Sequence, residues 1–486
     1  MNILLVLPIL LPILAGAILP KLKGVNLKTF VTAVMAINTA LVVLIVSLGD
    51  ISIRLLSITP QLSLFLQVDN LSRFFILLAA GLWLLVTFYT FGYIKADDRQ
   101  AGFYRYYLLS YGVIIGATLS GNLVTLYLFY EFMTLFTYPL VTYNGDKAAI
   151  KAGNKVLVYS FFGAGLTLAA MFFAARFGMT FDFVAGGTLD MAAVAGSESL
   201  ALFLFFVAFI GFGVKAYIFP LFDWVPSAYP EVPSPAAALF SGVVSKVAIL
   251  AILRLTLYVF GADFIMGTWV QNVLLVLTIT TVFLGSMSAF REKLFKRRLA
   301  YSSVSQLSYI MFGIVLLSPV ALLGSMLHVV AHGVIKVVLF LAAGAMIQQT
   351  GKTMVDDFKG AGKSMPITLW CFTLGSIALI GIPPTLGFLS KWYLAVGGLA
   401  TTAPALGMLG AGMLLISALL TGGYLIPIFA GAFFPGYKFD YTKLVKNEPK
   451  KFITIPLIIL AALALLFGIF PGILMNFIDS ISAMLF

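Results

Sequence analysis

The amino-acid sequence predicts an all-α integral membrane protein of about fourteen transmembrane helices, with two inverted five-helix repeats and breaks in spans seven and twelve. Three observations lead there. Of 486 residues, 61% are hydrophobic and only 10% charged, with a mean hydropathy of +1.08, whereas soluble domains carry about 25% charged residues. Apolar runs of roughly 20 residues, the length that crosses a bilayer as a helix, recur from one end to the other. Two of those runs, five places apart, are interrupted by proline.

The first run, 2–20, lies within the N-terminal stretch 1–20, "MNILLVLPILLPILAGAILP". It has no basic n-region and no small-residue cleavage site, so it is expected to stay as a first span. With runs at 26–49 and 70–94 it makes a leading group over 1–104. Runs at 105–120, 122–143, 155–176, 200–222 and 234–260 form spans four to eight, the first repeat, over 105–260. Runs at 269–289, 300–318, 321–348, 366–400 and 404–435 form spans nine to thirteen, the second repeat, and 452–479 closes the chain. Nothing between them is large enough for a soluble module, so 1–486 is expected to be one polytopic domain.

Span seven contains "GVKAYIFPLFDWVPSAYPEVPSP" and span twelve "LIGIPPTLGFLSKW". Proline removes a backbone donor and clashes with the preceding turn, so both helices are expected to break. Because five is odd, the two run in opposite directions, which is the arithmetic of an inverted repeat.

Lysine and arginine concentrate in the cytoplasmic loops of membrane proteins. The odd-numbered loops, face B, collect Lys21, Lys23 and Lys28, then Lys95 to Arg105, Lys147 to Lys155, Arg291 to Arg298, Lys352 to Lys363 and Lys438 to Lys451. The other face, A, holds only Arg54, Arg73 and Arg176. Face B is therefore expected in the cytoplasm, with both termini outside the plasma membrane. Basic residues confined to short loops do not make a nucleic-acid surface. The single cysteine, Cys371, lies in an apolar run and supports neither a disulfide nor a thiolate metal site.

Five basic residues fall inside spans: Lys215, Lys246, Arg254, Lys336 and Lys391. Of 18 acidic residues only Glu131 does. A charge at mid-membrane costs about 2.5–3.5 kcal/mol, so each must be paired, hydrated or neutral and marks a functional site by default. Desolvation disfavours the charged form of lysine, which can then take up and release a proton, as histidine does. His328, His332 and Lys336, spaced i, i+4, i+8, line one helix face. No acid or cysteine stands near the histidines in sequence, which argues against a metal site. Arg254, near the end of its span, is expected to snorkel to face A.

The strings "VDNLSRFFILL", "NLVTLYLFYEFMTL", "GFGVKAYIFPL", "SGVVSKVAIL", "KRRLAYSSVSQLSYI", "HVVAHGVIKVVLF" and "GIPPTLGFLSKWYL", in this order over nearly the whole chain, resemble the antiporter-like proton-pumping subunits. These occur in the membrane arm of respiratory complex I, in membrane-bound hydrogenases and sulfur reductases, and in Mrp-type sodium/proton antiporters. The resemblance implies a chain of buried ionisable groups along the membrane midplane. Glu131 and Lys215 would be its coupled acid–lysine pair and Lys246 the central relay. The His328, His332 and Lys336 face would connect the halves, and Lys391 would be the terminal lysine.

Two departures stand out. The family commonly shows Pro-Leu-His-x-Trp-Leu-Pro-Asp-Ala-His after the seventh-helix lysine; here Phe222, Ser227 and Tyr229 replace both histidines and the aspartate, which puts proton uptake from face B there in question. Lys391, where some relatives carry glutamate, favours the Mrp-like or hydrogenase-like branch. The sequence runs to Phe486 directly after the last span, so the long lateral helix of the largest such subunits is not expected.

There is no P-loop, dinucleotide glycine pattern or cysteine set for an iron–sulfur cluster, so no cofactor is expected and electrons would belong to partner subunits. Expected partners are other membrane subunits, including homologous antiporter-like ones, with protons or sodium ions as the transported species. Two readings follow: an ion-translocating subunit of a redox complex, or a subunit of a non-redox cation/proton antiporter. A scaffold that has lost transport is opposed by the intact set Glu131, Lys215, Lys246 and Lys391.

Overall fold

The computed structural model describes residues 2–22, 26–57, 59, 62–177, 180–436, 439–440 and 445–486. Lys23, Lys438 and Lys443, expected on face B, lie outside the described residues, as does the Arg176 side chain. The chain opens with α1 (Leu7–Ile18) and α2 (Leu27–Ser47), a hairpin of β1 (Ile51–Ser57) and β2 (Ser63–Val68), and α3 (Asn70–Tyr93). Next come α4 (Gln100–Thr118), α5 (Leu123–Val141), α6 (Lys147–Ala174), the short α7 (Met191–Val194) and α8 (Glu198–Gly213). Beyond a break lie α9 (Trp224–Ala228), α10 (Ser234–Leu239), α11 (Ser245–Leu253) and α12 (Ala262–Ile265). Then follow α13 (Trp269–Arg291), α14 (Phe295–Val315), α15 (Pro319–Thr350), α16 (Ala361–Ser364) and α17 (Pro366–Ile380). The last elements are α18 (Leu386–Leu399), α19 (Pro404–Phe433), α20 (Lys451–Ile469) and α21 (Gly472–Ser482).

Among the described residues, 10 helices are long and apolar enough to cross a membrane, and α8 and α17 are shorter apolar helices. Polar side chains start several of them: Asn26, Asp69, Asn122 and Asp146 each accept from backbone N–H groups of the first turn, as N-caps do. The most enclosed are α15 and the α10–α11 rod, each 94% buried over its most apolar window. Helices that are apolar all round belong at the centre of such a bundle, and it is these two that carry Lys246 and the His328 stripe.

Several boundaries differ from expectation for identifiable reasons. α6 starts at Lys147, not 155, because Asp146 caps it and its first two turns carry the lysines outward. α14 starts at Phe295, not 300, and takes Lys296, Arg297 and Arg298 into its first turn. The last run, expected as 452–479, is two helices, α20 and α21, divided at Pro471. The antiparallel β1–β2 hairpin pairs Ile51 with Val68 and was not expected from the sequence. Asn122 and Thr125 at the start of α5 bond the Ser63 carbonyl, fixing the hairpin over that helix end.

Arg254 corrects a sequence expectation outright. It does not snorkel: it is 1% exposed and forms a two-pronged pair with Asp69, at 2.6 and 2.7 Å, with a third bond to Ser72 at 3.0 Å. The rings of Phe183 and Tyr258 cover the guanidinium at 4.7 and 4.4 Å. A planar fork matches a carboxylate geometrically, and Asp69, held as the cap of α3, is already in place.

Candidate functional site

Glu131 and Tyr130 stand in the middle of α5, and Lys215 lies just past the C-terminus of α8. Lys215 Nζ is 3.6 Å from Glu131 Oε1, donates to the Tyr130 carbonyl at 3.0 Å and sits 3.7 Å from the centre of the Tyr130 ring. The Tyr130 hydroxyl in turn donates at 3.1 Å to the Phe212 carbonyl, which also accepts from the Lys215 backbone N–H at 3.2 Å where α8 stops. The break thus creates the site: it turns Lys215 inward and supplies a partner for the tyrosine beneath it.

Lys246 comes from the next element. A π-helical turn, Phe240–Val244, joins α10 to α11; such turns release a carbonyl from the regular ladder and cluster at functional sites. Here the Ser241 carbonyl accepts from Lys246 Nζ at 2.6 Å and from Ser245 Oγ at 2.7 Å. Lys246 Nζ also meets His332 Nδ1 directly. One turn back along α15, His328 lies 6.2 Å from His332, ring centre to ring centre, and its Nδ1 is 2.9 Å from Ser390 Oγ on α18. The next residue is Lys391.

Lys391 donates to the carbonyls of Leu379 and Ile380 at 2.6 and 2.9 Å. These belong to the last turn of α17, whose open carbonyls and dipole favour a cation. The interruption at Pro383 and Pro384 therefore folds the lysine back onto the preceding half-helix. Gly381 permits this: it takes φ 91° at the end of α17, and a Cβ there would stand 3.0 Å from Lys391 Cδ.

The structure thus brings together Glu131 with Lys215, and Lys246 with His332, His328, Ser390 and Lys391. Lys336 shares the histidine stripe but turns to α14, where it meets the Leu299 carbonyl at 3.0 Å and the Ser302 hydroxyl. Among the described residues, several buried polar atoms along these groups have no hydrogen-bond partner: Thr134 Oγ1, Gln306 Nε2 and Oε1, Nε2 of both histidines, and Glu131 Oε1, whose contact with Lys215 is the 3.6 Å ion pair alone. Buried polar atoms of this kind are normally satisfied by ordered water. Among the described residues, no group of three His, Cys, Asp or Glu converges as a metal site.

Sequence reasoning missed Asp69, Ser390 and the serines around the lysines. Asp69 lies just outside its span and reads as a loop residue. The serine run of α14 carried a signal: a helix with Ser302, Ser303, Ser305 and Ser308 has no reason to face lipid, and all four are fully buried.

Residues 120–417 match the family model described as "NADH:quinone oxidoreductase/Mrp antiporter, TM". NADH-quinone oxidoreductase subunit N of Desulforudis audaxviator is 33% identical over 386 residues, 78% of this chain and 74% of its own length. A Na(+)/H(+) antiporter subunit of Alkalihalophilus pseudofirmus is 28% identical over 96% of this chain and 94% of its own length. In fold, a chain of the Mrp complex from a Dietzia species superposes with a TM-score of 0.86 at 22% identity, covering 100% of this chain and 98% of that one. A family model spanning more than half the sequence, around lysines set into two broken helices, leaves one assignment: the chain belongs to the NADH:quinone oxidoreductase/Mrp antiporter transmembrane family.

Proposed function

We infer that the protein is a proton- or sodium-translocating, antiporter-like subunit of a multisubunit membrane-bound redox complex, with no redox centre of its own. The observation that carries this is the row Lys246, His332, His328, Ser390, Lys391, preceded by the Glu131–Lys215 pair. In this reading the acid–lysine pair takes a proton from the cytoplasmic side and recharges Lys246, and the histidines hand the proton on to Lys391 for release. Lys336 sets the charge opposite Lys246. Water at the unpartnered polar atoms completes the wire. The ion moves along side chains, so partner membrane subunits supply the driving reaction.

The finer architecture belongs to the same reading: fourteen spans in one membrane domain, with spans four to eight and nine to thirteen as inverted repeats, face B cytoplasmic and both termini outside the plasma membrane. Two features support it. Lys215 lies against Tyr130 of span five, and Lys391 lies 5.4 Å from the ring of Tyr309 in span ten, so the two halves repeat one lysine-on-tyrosine contact. Loop contacts also join loops of one face: Arg54 with Asp182 on A, and Lys296 with the Pro230 and Val232 carbonyls on B.

The alternative is a subunit of a non-redox Mrp-type cation/proton antiporter. Its specific support is coverage: the antiporter relative aligns over 96% of this chain, the redox relative over 78%. Co-purification and peptide identification of the partner proteins decide between the two. The shared core of both readings is tested by Glu131→Gln and Lys215→Met in vesicles containing the complete complex. Each should abolish coupled ion movement while the complex still assembles, because Glu131→Gln leaves an ammonium too costly to cycle unpaired at that depth and Lys215→Met removes the proton-carrying amine itself. Wild-type transport in either variant would sink the relay.

A further inference from the structure

Where α13 ends and α14 begins, beside the last turns of α19, lies a cavity of ≈ 240 Å³, far larger than the about 10–15 Å³ that one water needs. Its wall carries four cations, Arg291, Lys293, Arg298 and Lys359, against one carboxylate, Asp356. None of them belongs to the relay. Arg298 is the fixed member: it is 8% exposed and donates from Nε to the Glu292 carbonyl at 2.6 Å and from Nη1 to the Tyr424 carbonyl at 2.9 Å. Both acceptors are neutral, so they hold the guanidinium in place without matching its charge. Glu292 is committed elsewhere, its Oε1 to the backbone N–H groups of Lys293 and Leu294 and its Oε2 to Arg297 at 3.8 Å. Among the described residues, the ion pairs include none of the four cations. Like charges around one hollow repel each other, and an anion placed between them relieves that repulsion.

The cavity meets an apolar surface. Phe290, in its wall, ends a stripe of exposed residues on α13, Val276, Phe283 and Phe290, spaced by seven and so on one helix face. On α19, Leu415, Leu419 and Ile426 are exposed in the same way. Gly423 lets the two helices close beside the cavity, since a Cβ there would stand 2.8 Å from the Phe290 ring. Pro427, also in the wall, has no N–H for the Gly423 carbonyl, which leaves that oxygen to accept from a hydroxyl. A basic hollow at the head of two apolar stripes has the chemistry of a lipid site, since basic pockets between transmembrane helices recruit anionic headgroups. A soluble anion would have no use for the stripes.

We propose that this cavity binds the headgroup of one anionic phospholipid of the phosphatidylglycerol kind, with its acyl chains laid along the exposed stripes of α13 and α19. The phosphate sits among Arg291, Lys293, Arg298 and Lys359, and a glycerol hydroxyl donates to the Gly423 carbonyl. Asp356 stands on the same wall and favours a headgroup that also carries hydroxyl donors over a bare phosphate.

The test uses the complete complex in detergent and a phosphatidylglycerol carrying a photoreactive diazirine on one acyl chain. After irradiation, labelled peptides covering residues 276–291 and 415–428 are measured against lipid concentration. The wild type should label saturably on these peptides. Lys293→Gln and Lys359→Gln should each raise the half-saturating concentration about fivefold, whereas Lys352→Gln, an exposed lysine outside the cavity wall, should leave it unchanged. Unlabelled phosphatidylglycerol should compete, and phosphatidylcholine at the same concentration should not. Equal competition by phosphatidylcholine would reduce the site to ordinary bilayer contact and overturn the proposal. Displacement by inorganic phosphate alone would make it a site for a free anion and reject the lipid. Wild-type curves for both cavity variants would show that these charges do not hold the headgroup. Absence of label in the intact complex would mean that a partner subunit covers this face, and would equally reject the site.

Discussion

Arg254 shows how a charge can be buried in a membrane bundle without taking part in transport. Its guanidinium is matched by Asp69 and Ser72 and roofed by two rings, so nothing on it is free to exchange. Arg254→Gln or Asp69→Asn leaves one member of the pair buried and unmatched, which costs about 3–5 kcal/mol. Both variants should lower the melting midpoint of the purified complex, while transport per assembled complex stays near wild type. A transport loss at unchanged stability would place Arg254 in the relay. Lys391 is the contrasting residue. Its two carbonyl partners accept only, so Lys391→Met leaves them without a donor and should block steady transport while proton uptake from the cytoplasmic side persists. An ionised glutamate offers those carbonyls nothing but acceptors, so Lys391→Glu should run at least about tenfold slower than wild type, with the difference narrowing as pH falls and the carboxyl becomes a donor. Equal rates for the wild type and Lys391→Glu across pH would mean that the carbonyls of α17 do not tune this site.

At the scale of elements, the two interruptions do different work for their lysines. After α8 the chain turns Lys215 towards a carboxylate on a neighbouring helix; after α17 it turns Lys391 onto the open end of its own half-helix. Gly381 makes the second turn possible. Gly381→Ala must hold φ 91° against about 1–3 kcal/mol of backbone strain and press on the Lys391 side chain, so transport should fall although residue 391 itself is unchanged. Wild-type activity in that variant would show that the lysine is not positioned by the break. Both interruptions were legible in sequence because proline is unambiguous about backbone hydrogen bonding. The charges were legible because a lysine in an apolar run stands out against its surroundings. Serine does not stand out: Ser241, Ser245, Ser302 and Ser390 can each satisfy themselves on a helix's own carbonyls, and only the packing shows that their oxygens converge on Lys246, Lys336 and His328. Asp69 was illegible for the opposite reason, since a cap residue at a helix start already has an explanation. The β1–β2 hairpin was overlooked because the alternation of Ile51 to Leu55 is short, is broken at Leu56, and faces a second strand whose Leu64, Phe65 and Leu66 are consecutive apolar residues.

For the whole molecule, the charge asymmetry between loops and the contacts among them make one claim about orientation. If face B is cytoplasmic, the long basic segment before α20 lies inside the cell and the segment before α8 lies outside. Lys296 would be a poor reporter of this, because its ammonium is tied to the Pro230 and Val232 carbonyls, whereas Lys446 and Ala195 are both exposed. Gly196 would be a poor site for a cysteine, since it takes φ 77°. The sole native cysteine, Cys371, is buried and should contribute little background. Lys446→Cys should therefore react with a membrane-impermeant thiol reagent only in inverted vesicles, and Ala195→Cys only in intact cells. The two positions are separated by α8 to α19 and so by every element that carries Lys215, Lys246, the histidines and Lys391. Labelling of both from the same side would require one fewer or one more crossing in that interval. Where that change falls between α8 and α17, it would place the two half-breaks in parallel rather than opposed, and a relay that takes protons from one face at Lys215 and releases them to the other at Lys391 would lose its geometric basis.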